Sequence, residues 1–335
     1  MIIHAKNVRG LGALLLTQKL VKLLELDITL LLSSTELSQL IEVEKTSLNI
    51  KSFQFLYLSR LWELLFKKYD YGQAATLVMG DVPLQMASPQ ILYFHNQNII
   101  DDIRVRDFGT LKQKLNQLLF CRNLQYVDKF IVQTEHQRKS LNSYLDRLGL
   151  FDVQEKVFCV PFSPKKTKLR DTTRTEAINL FYPARYYPHK NHSFLFSVFS
   201  DVKHHFPKTK LILTIKPDQS PWPEIETIGE ISSDLVKSIM DDDNTVLIFP
   251  SLKESLGLPL IEALELDIPI IVANLEYARE ICGQKAIYFD PHCKNSFLEA
   301  LSKLKNDINI HRNKEDLNLY VTHSNFIKKI VKSVS

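Results

Sequence analysis

Two glutamates stand at a spacing that can present both carboxylates to one ligand. Glu254 and Glu262 enclose the sequence Ser-Leu-Gly-Leu-Pro-Leu-Ile, which comes shortly after the apolar run 246–250. That run predicts a buried parallel strand and residues 258–266 predict a helix, so one acid lies on the connecting loop and the other within the first turns of the helix. Both then face the carboxyl end of the strand, where ligands of open α/β sheets bind.

The loop between the two acids adds a second kind of binding group. The backbone N–H groups of Ser255, Leu256 and Gly257 lie at the start of the predicted helix, where such groups have no partner within the helix and suit a phosphate. Carboxylates bind hydroxyls, so the predicted ligand carries both hydroxyls and phosphate. A nucleotide sugar has this combination.

A second group of polar residues lies upstream, on the loop that follows the predicted strand 178–182. Arg185 and Lys190 are on this loop, and a helix is predicted to begin at Asn191. An arginine can bind a diphosphate through two parallel hydrogen bonds, whereas a lysine acts as a compact point charge. The alternative is a pair of solvated loop cations. The two glutamates downstream favour the diphosphate interpretation.

These segments resemble the C-terminal half of glycosyltransferase family 4. The resemblance rests on several segments that occur in the order of that family, namely 183–191, 254–262, 268–274, 276–281 and 288–291. It covers roughly residues 178–304 and is much weaker in the N-terminal half. The resemblance implies an α/β structure of the GT-B class, in which two Rossmann-like domains face each other across a cleft.

The resemblance also implies roles for individual residues. Arg185 and Lys190, with the amides near Gly257, would stabilise the charge that develops on the departing diphosphate. Glu254 would bind hydroxyls of the transferred sugar, and Glu262 the ribose of the nucleotide. No covalent nucleophile is expected, because in the chemistry usually drawn for this family the leaving phosphate itself accepts the proton of the attacking hydroxyl.

Further donor contacts are implied at two turns and one histidine. Relatives hold the base at the turn that corresponds to Gly229 and Glu230. In the N-terminal half, Gly10 and Gly12 fall in the predicted first strand-to-helix turn, where glycine lets a ligand approach the backbone closely, although such a turn needs no ligand. His95 follows an apolar run at a position where many relatives have a catalytic-site histidine; the alternative is a structural histidine.

The length of the chain predicts two domains. Its 335 residues exceed the size of a usual single domain. The prediction is an N-terminal acceptor-binding domain at 1–160, a nucleotide-sugar-binding domain at 161–310 and a C-terminal helix at 311–335. A proline-containing basic stretch follows residue 160 and marks the boundary. By analogy with the fold, the terminal helix crosses back to the first domain.

Composition and charge exclude several classes of function. The sequence is 45% hydrophobic and 24% charged, as in ordinary globular proteins. Its net charge of +4 is scattered, so nucleic acid is not an expected partner. The four cysteines are too far apart for a metal or redox motif. The start does not resemble a secretory signal and no apolar run is long enough to span a membrane, so a cytoplasmic location is expected.

One segment has two interpretations. Residues 51–68 are rich in large apolar side chains, and Arg60, Lys67 and Lys68 flank them. Such a segment usually packs into a domain core, which is the favoured interpretation. It can also lie on the inner face of an anionic membrane as a peripheral contact, which would suit a lipid-linked acceptor.

No metal site is expected. Asp241 and Asp243 have the D-x-D spacing that binds a metal ion and diphosphate in the other large class of glycosyltransferases, but they precede the predicted strand 245–249 and so lie at its amino end, away from the ligand. A solvated acidic turn is the favoured interpretation. The histidine pairs lack carboxylate or thiolate partners at ligand spacing, namely His189 with His192 and His204 with His205.

The resemblance, together with these residues, therefore implies a metal-independent, retaining glycosyltransferase of the hexosyltransferase type, without a cofactor. Its donor would be a UDP- or GDP-linked sugar and its acceptor a hydroxyl of a saccharide or lipid-linked saccharide. The commonest setting of the resembled family is the synthesis of bacterial surface polysaccharide, including lipopolysaccharide. The alternatives are a non-catalytic binding subunit of a transferase complex and, on the same fold, a phosphorylase or a nucleotide-sugar epimerase.

Overall fold

The chain divides into two compact units in the computed structural model. Unit 1 comprises Met1–Pro161 and Val321–Ser335, and unit 2 comprises Phe162–Tyr320. The structure describes residues 1–6, 16–17, 20–21, 28–32, 48–52, 63–80, 82–104, 108–161, 177–306, 327 and 329–334. Each unit has a parallel sheet of its own.

Unit 1 is built on a seven-stranded parallel sheet. The strands of this unit, in chain order, are β1 Ile2–Ala5, β2 Ile28–Leu32, β3 Leu48–Ser52, β4 Lys68–Tyr69, β5 Thr76–Met79, β6 Gln85–Met86, β7 Gln90–Tyr93, β8 Lys129–Val132 and β9 Val157–Cys159. Their order across the large sheet is β3-β2-β1-β5-β7-β8-β9, and β4 pairs with β6 in a separate two-stranded sheet. Two of its helices are α1 Phe108–Asn123 and α2 Glu135–Arg147.

Continuous apolar runs form the central strands of unit 1. All four residues of β5 and all four of β7 are buried, as expected for strands of a parallel sheet that is covered on both faces. The apolar runs at 75–79, 91–94 and 130–132 coincide with β5, β7 and β8 to within a residue or two.

Unit 2 is built on a six-stranded parallel sheet. Its strands are β10 Asn179–Tyr182, β11 Lys210–Leu213, β12 Glu226–Thr227, β13 Thr245–Phe249, β14 Ile270–Ala273 and β15 Ile287–Phe289. The strand order is β12-β11-β10-β13-β14-β15. The helices are α3 His192–His205, α4 Ser233–Met240, α5 Leu258–Leu266, α6 Glu276–Cys282 and α7 Lys294–Asn306.

The order of strands in unit 2 is that of a doubly wound Rossmann sheet. Numbered within the unit, the strands run 3-2-1-4-5-6, so the direction of winding reverses between β10 and β13, which are adjacent and parallel. Ligands of such sheets bind at the carboxyl ends of the two strands that flank this reversal. The Rossmann-like architecture and the strands and helix at 178–182, 246–250 and 258–266 agree with the predictions from sequence.

The segment 51–68 is described only in part. Residues 51–52 end strand β3, residues 63–66 are helical and residues 68–69 form β4, whereas residues 53–62 lie outside the described part of the chain. Leu64 is buried, and Phe66 is 64% exposed beside the exposed Lys67 and Lys68. Among the helices that the structure describes, none combines the length and the hydropathy needed to cross a bilayer.

An aromatic cluster anchors α7 to the sheet of unit 2. The rings of Phe194, Phe289 and Phe297 lie in mutual contact, with centroids 4.9 to 5.7 Å apart. Phe297 is 1% exposed and projects from α7. Three buried aromatic rings from α3, β15 and α7 therefore join elements that are distant in sequence.

We expect the substitution Phe297→Ala to lower the free energy of unfolding by about 3–5 kcal/mol, because it removes a fully buried ring and leaves a cavity. Urea denaturation followed by circular dichroism measures this loss. Glu299→Ala, at an exposed position of the same helix, serves as the control and should stay within about 0.5 kcal/mol of the unchanged chain. Equal stability of the two variants would mean that α7 is not packed as described.

Candidate functional site

The predicted cationic loop and the predicted acidic loop leave the two strands that flank the winding reversal of unit 2. Residues 183–191 follow β10, and residues 250–257 follow β13. The strands pair in register, with Asn179 opposite Thr245 and Phe181 opposite Leu247. Because parallel neighbours end at the same edge of the sheet, the two loops begin side by side. This edge of unit 2 is the candidate site.

Lys190 and Glu254 form the central contact of the site. The Lys190 Nζ atom lies 2.5 Å from a carboxylate oxygen of Glu254, and the two side chains are only 19% and 11% exposed. The ammonium also lies 5.9 Å from the centre of the Phe249 ring at the end of β13. The structure thus brings together one predicted phosphate-binding cation and one predicted hydroxyl-binding acid in a single ion pair.

Backbone contacts fix the loop that carries Lys190. The buried hydroxyl of Tyr182, the last residue of β10, donates to the Lys190 carbonyl at 2.9 Å. Lys190 N–H donates to the Tyr187 carbonyl at 2.9 Å, which closes a short 3-10 turn over 188–190. A bulky ring at the strand end and a tight turn therefore determine where the Lys190 side chain leaves the backbone.

The acidic loop is joined directly to the cationic loop. The Leu252 N–H donates to the carbonyl of His189 at 2.8 Å. The Ser251 hydroxyl lies 3.2 Å from the same carbonyl. From the other side, the buried hydroxyl of Tyr277 in α6 donates to the Ser251 carbonyl at 2.6 Å. These bonds hold the backbone two and three residues before Glu254 at a fixed distance from the loop that carries Lys190.

Arg185 makes a second cation–acid pair at the same edge. Its guanidinium lies 2.9 Å from a carboxylate oxygen of Glu230, and the side chains are 47% and 63% exposed. Gly229 has a left-handed backbone with φ 70°, and its N–H donates to the Ile215 carbonyl at 3.0 Å. Such an exposed pair contributes little stability, about 0–1 kcal/mol, so it can open for a ligand at small cost.

The glycine before α5 sets the start of that helix. Gly257 has φ 59° and ψ 58°, and its carbonyl accepts the first helical bond from the Leu260 N–H at 2.9 Å. Ser255 is half-buried and Leu256 is buried ahead of it. Glu262, to which the resemblance assigns the ribose, lies within α5 and is 7% exposed.

The remaining predicted residues belong to unit 1 or lie outside the described chain. His95 follows β7, where its Nδ1 atom lies 3.2 Å from the carbonyl of Tyr93. The neighbouring Phe94 carbonyl accepts hydrogen bonds from the side-chain amides of Gln133 and Gln137. Gly10 and Gly12 lie outside the described residues.

Burial in unit 2 shifts the pKa of several aromatic side chains near the ion pair. Burial raises the pKa of the Tyr182 and Tyr277 hydroxyls well above the usual range, and the negative charge of Glu254 acts in the same direction. Burial lowers the pKa of His192 to about 4, and the positive charge of Lys190 adds to this shift. At neutral pH the two phenols are therefore hydrogen-bond donors, and His192 is uncharged.

The acidic turn at 241–243 lies at the amino end of β13, as the sequence predicts. Asp241 to Asp243 are exposed, follow α4 and precede the first residue of β13, so they are at the amino end of that strand. One carboxylate caps the turn, since Asp242 accepts from the Asn244 N–H at 2.9 Å. Within the described part of the chain, no three His, Cys, Asp or Glu side chains are grouped so that they could hold a metal ion.

Several contributors to the site are not predicted from the sequence. Tyr182, Asn191, Ser251 and Tyr277 bind backbone carbonyls across the loops. Asn191 and Tyr277 lie within segments that carry the family resemblance, but none of the four is a charged residue to which that resemblance assigns a role. Only two features of the sequence point to these residues. Asn191 stands at a helix start and is of a type that tolerates a left-handed backbone. Tyr182 is the last residue of an apolar strand.

Comparison with known proteins bears on the fold and on part of unit 2. Residues 220–316 match the family described as glycosyl transferases group 1. This match includes the acidic loop and α5 but not the loop with Arg185 and Lys190. No curated protein has a significant sequence match to the chain.

Solved structures match nearly the whole chain at low sequence identity. The α,α-trehalose-phosphate synthase (UDP-forming) of Burkholderia vietnamiensis has a TM-score of 0.66 at 10% identity, with 99% of each chain covered. The HepE protein of Anabaena, in complex with UDP and glucose, has a TM-score of 0.64 at 11% identity and coverages of 99% and 96%. The sucrose-phosphate synthase of Thermosynechococcus elongatus has a TM-score of 0.61 at 12% identity, with 99% and 96% covered. These matches confirm the predicted GT-B fold class.

The left-handed start of α5 yields a prediction about stability. We expect Gly257→Ala to lower the free energy of unfolding by about 2 kcal/mol, because a left-handed backbone costs about 1–2 kcal/mol with a side chain. The added Cβ would also meet Leu260 Cδ1 at 3.1 Å. The control is Gly229→Ala, which has a similar φ but open space around the Cβ and should lose about 1 kcal/mol. Urea denaturation measures both, and an equal loss would contradict the tight contact with Leu260.

His192 yields a prediction about pH. The pKa of His192 is lowered to about 4 in the folded chain, against about 6.5 in the unfolded chain, so the unfolded state binds more protons between these values. Stability is therefore retained above pH 6.5 and falls as the pH drops towards 4. The contribution of His192 to this loss at pH 5 is on the order of 2 kcal/mol.

The measurement is urea denaturation at pH 8 and pH 5. His192→Phe should lose about 2 kcal/mol less than the unchanged chain between these pH values. The buried His4 of unit 1 has a pKa lowered to about 3. It therefore contributes a loss of stability at pH 5 in the unchanged chain and in the His192→Phe variant alike. The exposed His204 provides the control through His204→Gln, which should leave the difference unchanged. A His192→Phe variant with the full pH dependence would show that His192 is not buried and neutral.

Proposed function

We propose that this protein is a glycosyltransferase that moves a sugar from a nucleotide diphosphate sugar to a hydroxyl group of an acceptor. The observation that carries the proposal is the Lys190–Glu254 pair at the point of winding reversal in unit 2. An ammonium group and a carboxylate at this edge suit a ligand that has both phosphate and hydroxyl groups. The match of residues 220–316 to glycosyl transferases group 1 supports the same conclusion.

The cations of the site would bind the diphosphate. Lys190 is held between a turn and a strand end, so its ammonium is positioned before the ligand arrives. Arg185 leaves the same loop and can exchange its exposed partner Glu230 for phosphate oxygens. The amides of residues 255–257 would add uncharged donors at the start of α5. Together they would stabilise negative charge as it grows on the leaving group.

The acids would bind hydroxyl groups. Glu254 is already next to Lys190, so a sugar bound to its carboxylate has its anomeric phosphate near the ammonium. Glu262 would bind the ribose if the donor enters deeply enough to reach its largely buried carboxylate. In unit 1, Gly10, Gly12 and His95 remain the proposed contacts to the donor.

The proposed reaction retains the configuration at the anomeric carbon. The bond between the anomeric carbon and the phosphate oxygen breaks, and the acceptor oxygen forms a bond to the same carbon on the same face. The proton of the acceptor hydroxyl goes to an oxygen of the leaving phosphate. The side chains of this chain would orient the two substrates and stabilise charge, and none would form a covalent bond to the sugar.

The finer assignment rests on the sequence. We propose membership of glycosyltransferase family 4, a UDP- or GDP-linked hexose as donor, and a saccharide or lipid-linked saccharide as acceptor. Bacterial surface polysaccharide or lipopolysaccharide synthesis is the proposed setting, in the cytoplasm and peripherally at the inner face of the membrane. The UDP and glucose in the Anabaena HepE structure are consistent with this donor class.

The first functional prediction concerns the ion pair. We expect Lys190→Ala and Glu254→Ala each to lower the rate of glycosyl transfer by about 100-fold or more, because both remove a group that acts on the transferred sugar or its phosphate. Transfer is measured as nucleotide release from a panel of UDP- and GDP-sugars, with and without saccharide acceptors. Circular dichroism shows whether each variant is folded.

The matched control is Lys294→Ala. Lys294 forms an ion pair with Asp201 at 3.8 Å on the surface of the same unit, so its loss changes charge in the same way without touching the site. Transfer should be unchanged in this variant. Normal transfer by a folded Lys190→Ala chain would remove the ion pair from the mechanism. Absence of nucleotide release from the unchanged chain with every donor would favour the alternative of a non-catalytic binding subunit.

The second functional prediction concerns metal ions. We expect EDTA to leave the transfer rate unchanged, because Arg185, Lys190 and the amides at α5 supply the positive charge that a metal would otherwise provide. Asp241→Asn combined with Asp243→Asn should also leave the rate unchanged. A strict requirement for a divalent cation that is lost in this double variant would instead assign the acidic turn to catalysis.

A further inference from the structure

Asn191 follows Lys190 directly and has an unusual backbone. Its φ of 56° and ψ of 38° lie in the left-handed region, and among the described non-glycine residues it shares this feature only with Asp267. Its N–H donates to the Pro188 carbonyl at 3.1 Å, and its own carbonyl accepts from the Phe194 N–H at 3.1 Å. This conformation turns the chain from the loop into α3.

The side chain of Asn191 joins three loops at the carboxyl edge of the sheet. Its amide nitrogen lies 3.3 Å from the Pro250 carbonyl and 3.4 Å from the Pro291 carbonyl. Pro250 follows β13 directly, and Pro291 lies two residues after β15. An amide NH₂ has two hydrogens and can donate one to each carbonyl. The ends of β10, β13 and β15 are thereby tied to one group.

Hydrogen bonds on both sides of Lys190 therefore fix its backbone. On one side the Tyr182 hydroxyl binds the Lys190 carbonyl at 2.9 Å, and on the other side the Asn191 amide binds the acidic loop at Pro250. Pro250 lies four residues before Glu254 on that loop. The hydrogen bonds that hold the backbone at Lys190 therefore also determine how far the Lys190 ammonium lies from the Glu254 carboxylate.

We infer that Asn191 is a positioning residue that keeps the Lys190 ammonium against Glu254 and, on the proposed function, directs it at the diphosphate of the donor. Asparagine is suited to this role because it tolerates the left-handed backbone and donates two hydrogen bonds from one nitrogen. Aspartate tolerates the backbone but presents only acceptors to the two carbonyls. Glycine keeps the backbone and removes the side chain.

These differences define the test. Asn191→Gly and Asn191→Asp preserve the backbone preference and remove the two donated bonds, and Asn191→Asp adds repulsion from both carbonyls. Asp267→Gly is the control, because Asp267 has φ 54° at the end of α5 and does not belong to the loops. Two readouts are taken on the full chain: acetylation of Lys190 by an amine-reactive ester, followed by mass spectrometry, and the kcat and KM of glycosyl transfer.

We expect acetylation of Lys190 to be about tenfold faster in Asn191→Asp than in the unchanged chain, and to increase by a smaller factor in Asn191→Gly. In both variants the ammonium is no longer confined beside Glu254. The value of kcat should fall about tenfold or more, with a smaller change in KM for the donor, since a misplaced group loses its effect mainly in the transition state. Asp267→Gly should change neither readout. A purely structural role of Asn191 would lower the stability of both Asn191 variants and leave Lys190 acetylation of the folded chain unchanged.

The two readouts separate the inference from the proposed function. Unchanged acetylation of Lys190 in both folded Asn191 variants would overturn the inference, whatever the transfer activity. Faster acetylation in a chain that shows no transfer with any donor would support the positioning role of Asn191 and overturn the proposed function. If Asn191→Asp does not fold, Asn191→Gly alone decides, since it introduces no repulsion.

Discussion

The structure of the site depends on one partly buried ion pair, Lys190 with Glu254. Removing two charges from water is costly, and their attraction compensates only when the geometry is good and further bonds satisfy the groups around them. The required geometry is built by uncharged contacts. Tyr182 and Asn191 fix the backbone of the cationic loop, and Tyr277 fixes the backbone of the acidic loop through Ser251. Polar contacts between loops therefore make the charged contact possible.

Much of unit 2 is predictable from the sequence, because strands of a covered parallel sheet are continuous apolar runs. The runs at 178–182 and 246–250 and the helix at 258–266 are each confirmed to within a residue. The order of the strands within the sheet, in contrast, cannot be predicted from such runs. It depends on pairing between segments far apart in the chain, such as β10 with β13, and no local pattern records it. Resemblance to a family supplied the fold class, which the solved structures then confirmed.

In the candidate site, the sequence indicates the types of the residues but not their contacts. Charge and loop position point to Lys190 and Glu254, but the two are 64 residues apart in the sequence, so their direct pairing is not predicted. The Asn191 amide reaches carbonyls 59 and 100 residues away, which no spacing rule anticipates. Glu230, which the resemblance assigns to the nucleotide base, pairs with Arg185, a contact that its position in the sequence does not predict. Hydrogen bonds from side chains to backbone groups that are distant in the sequence are the contacts of this site that the sequence does not predict.

On the proposed function, the two ion pairs would also determine what kind of anion the site accepts. Each cation is matched by an acid, so the site has little net charge, and a simple anion would gain attraction from Lys190 only by displacing or facing Glu254. A ligand that offers hydroxyls to the carboxylate and phosphate to the ammonium satisfies both groups at once and leaves neither unpaired. Because an unpaired partly buried charge is costly, on the proposed function the Lys190–Glu254 pair would select against free phosphate and favour a molecule in which a hydroxyl-bearing ring is joined to phosphate. The proposed specificity for a glycosyl phosphate would thus follow from the carboxylate of Glu254 as much as from the ammonium of Lys190.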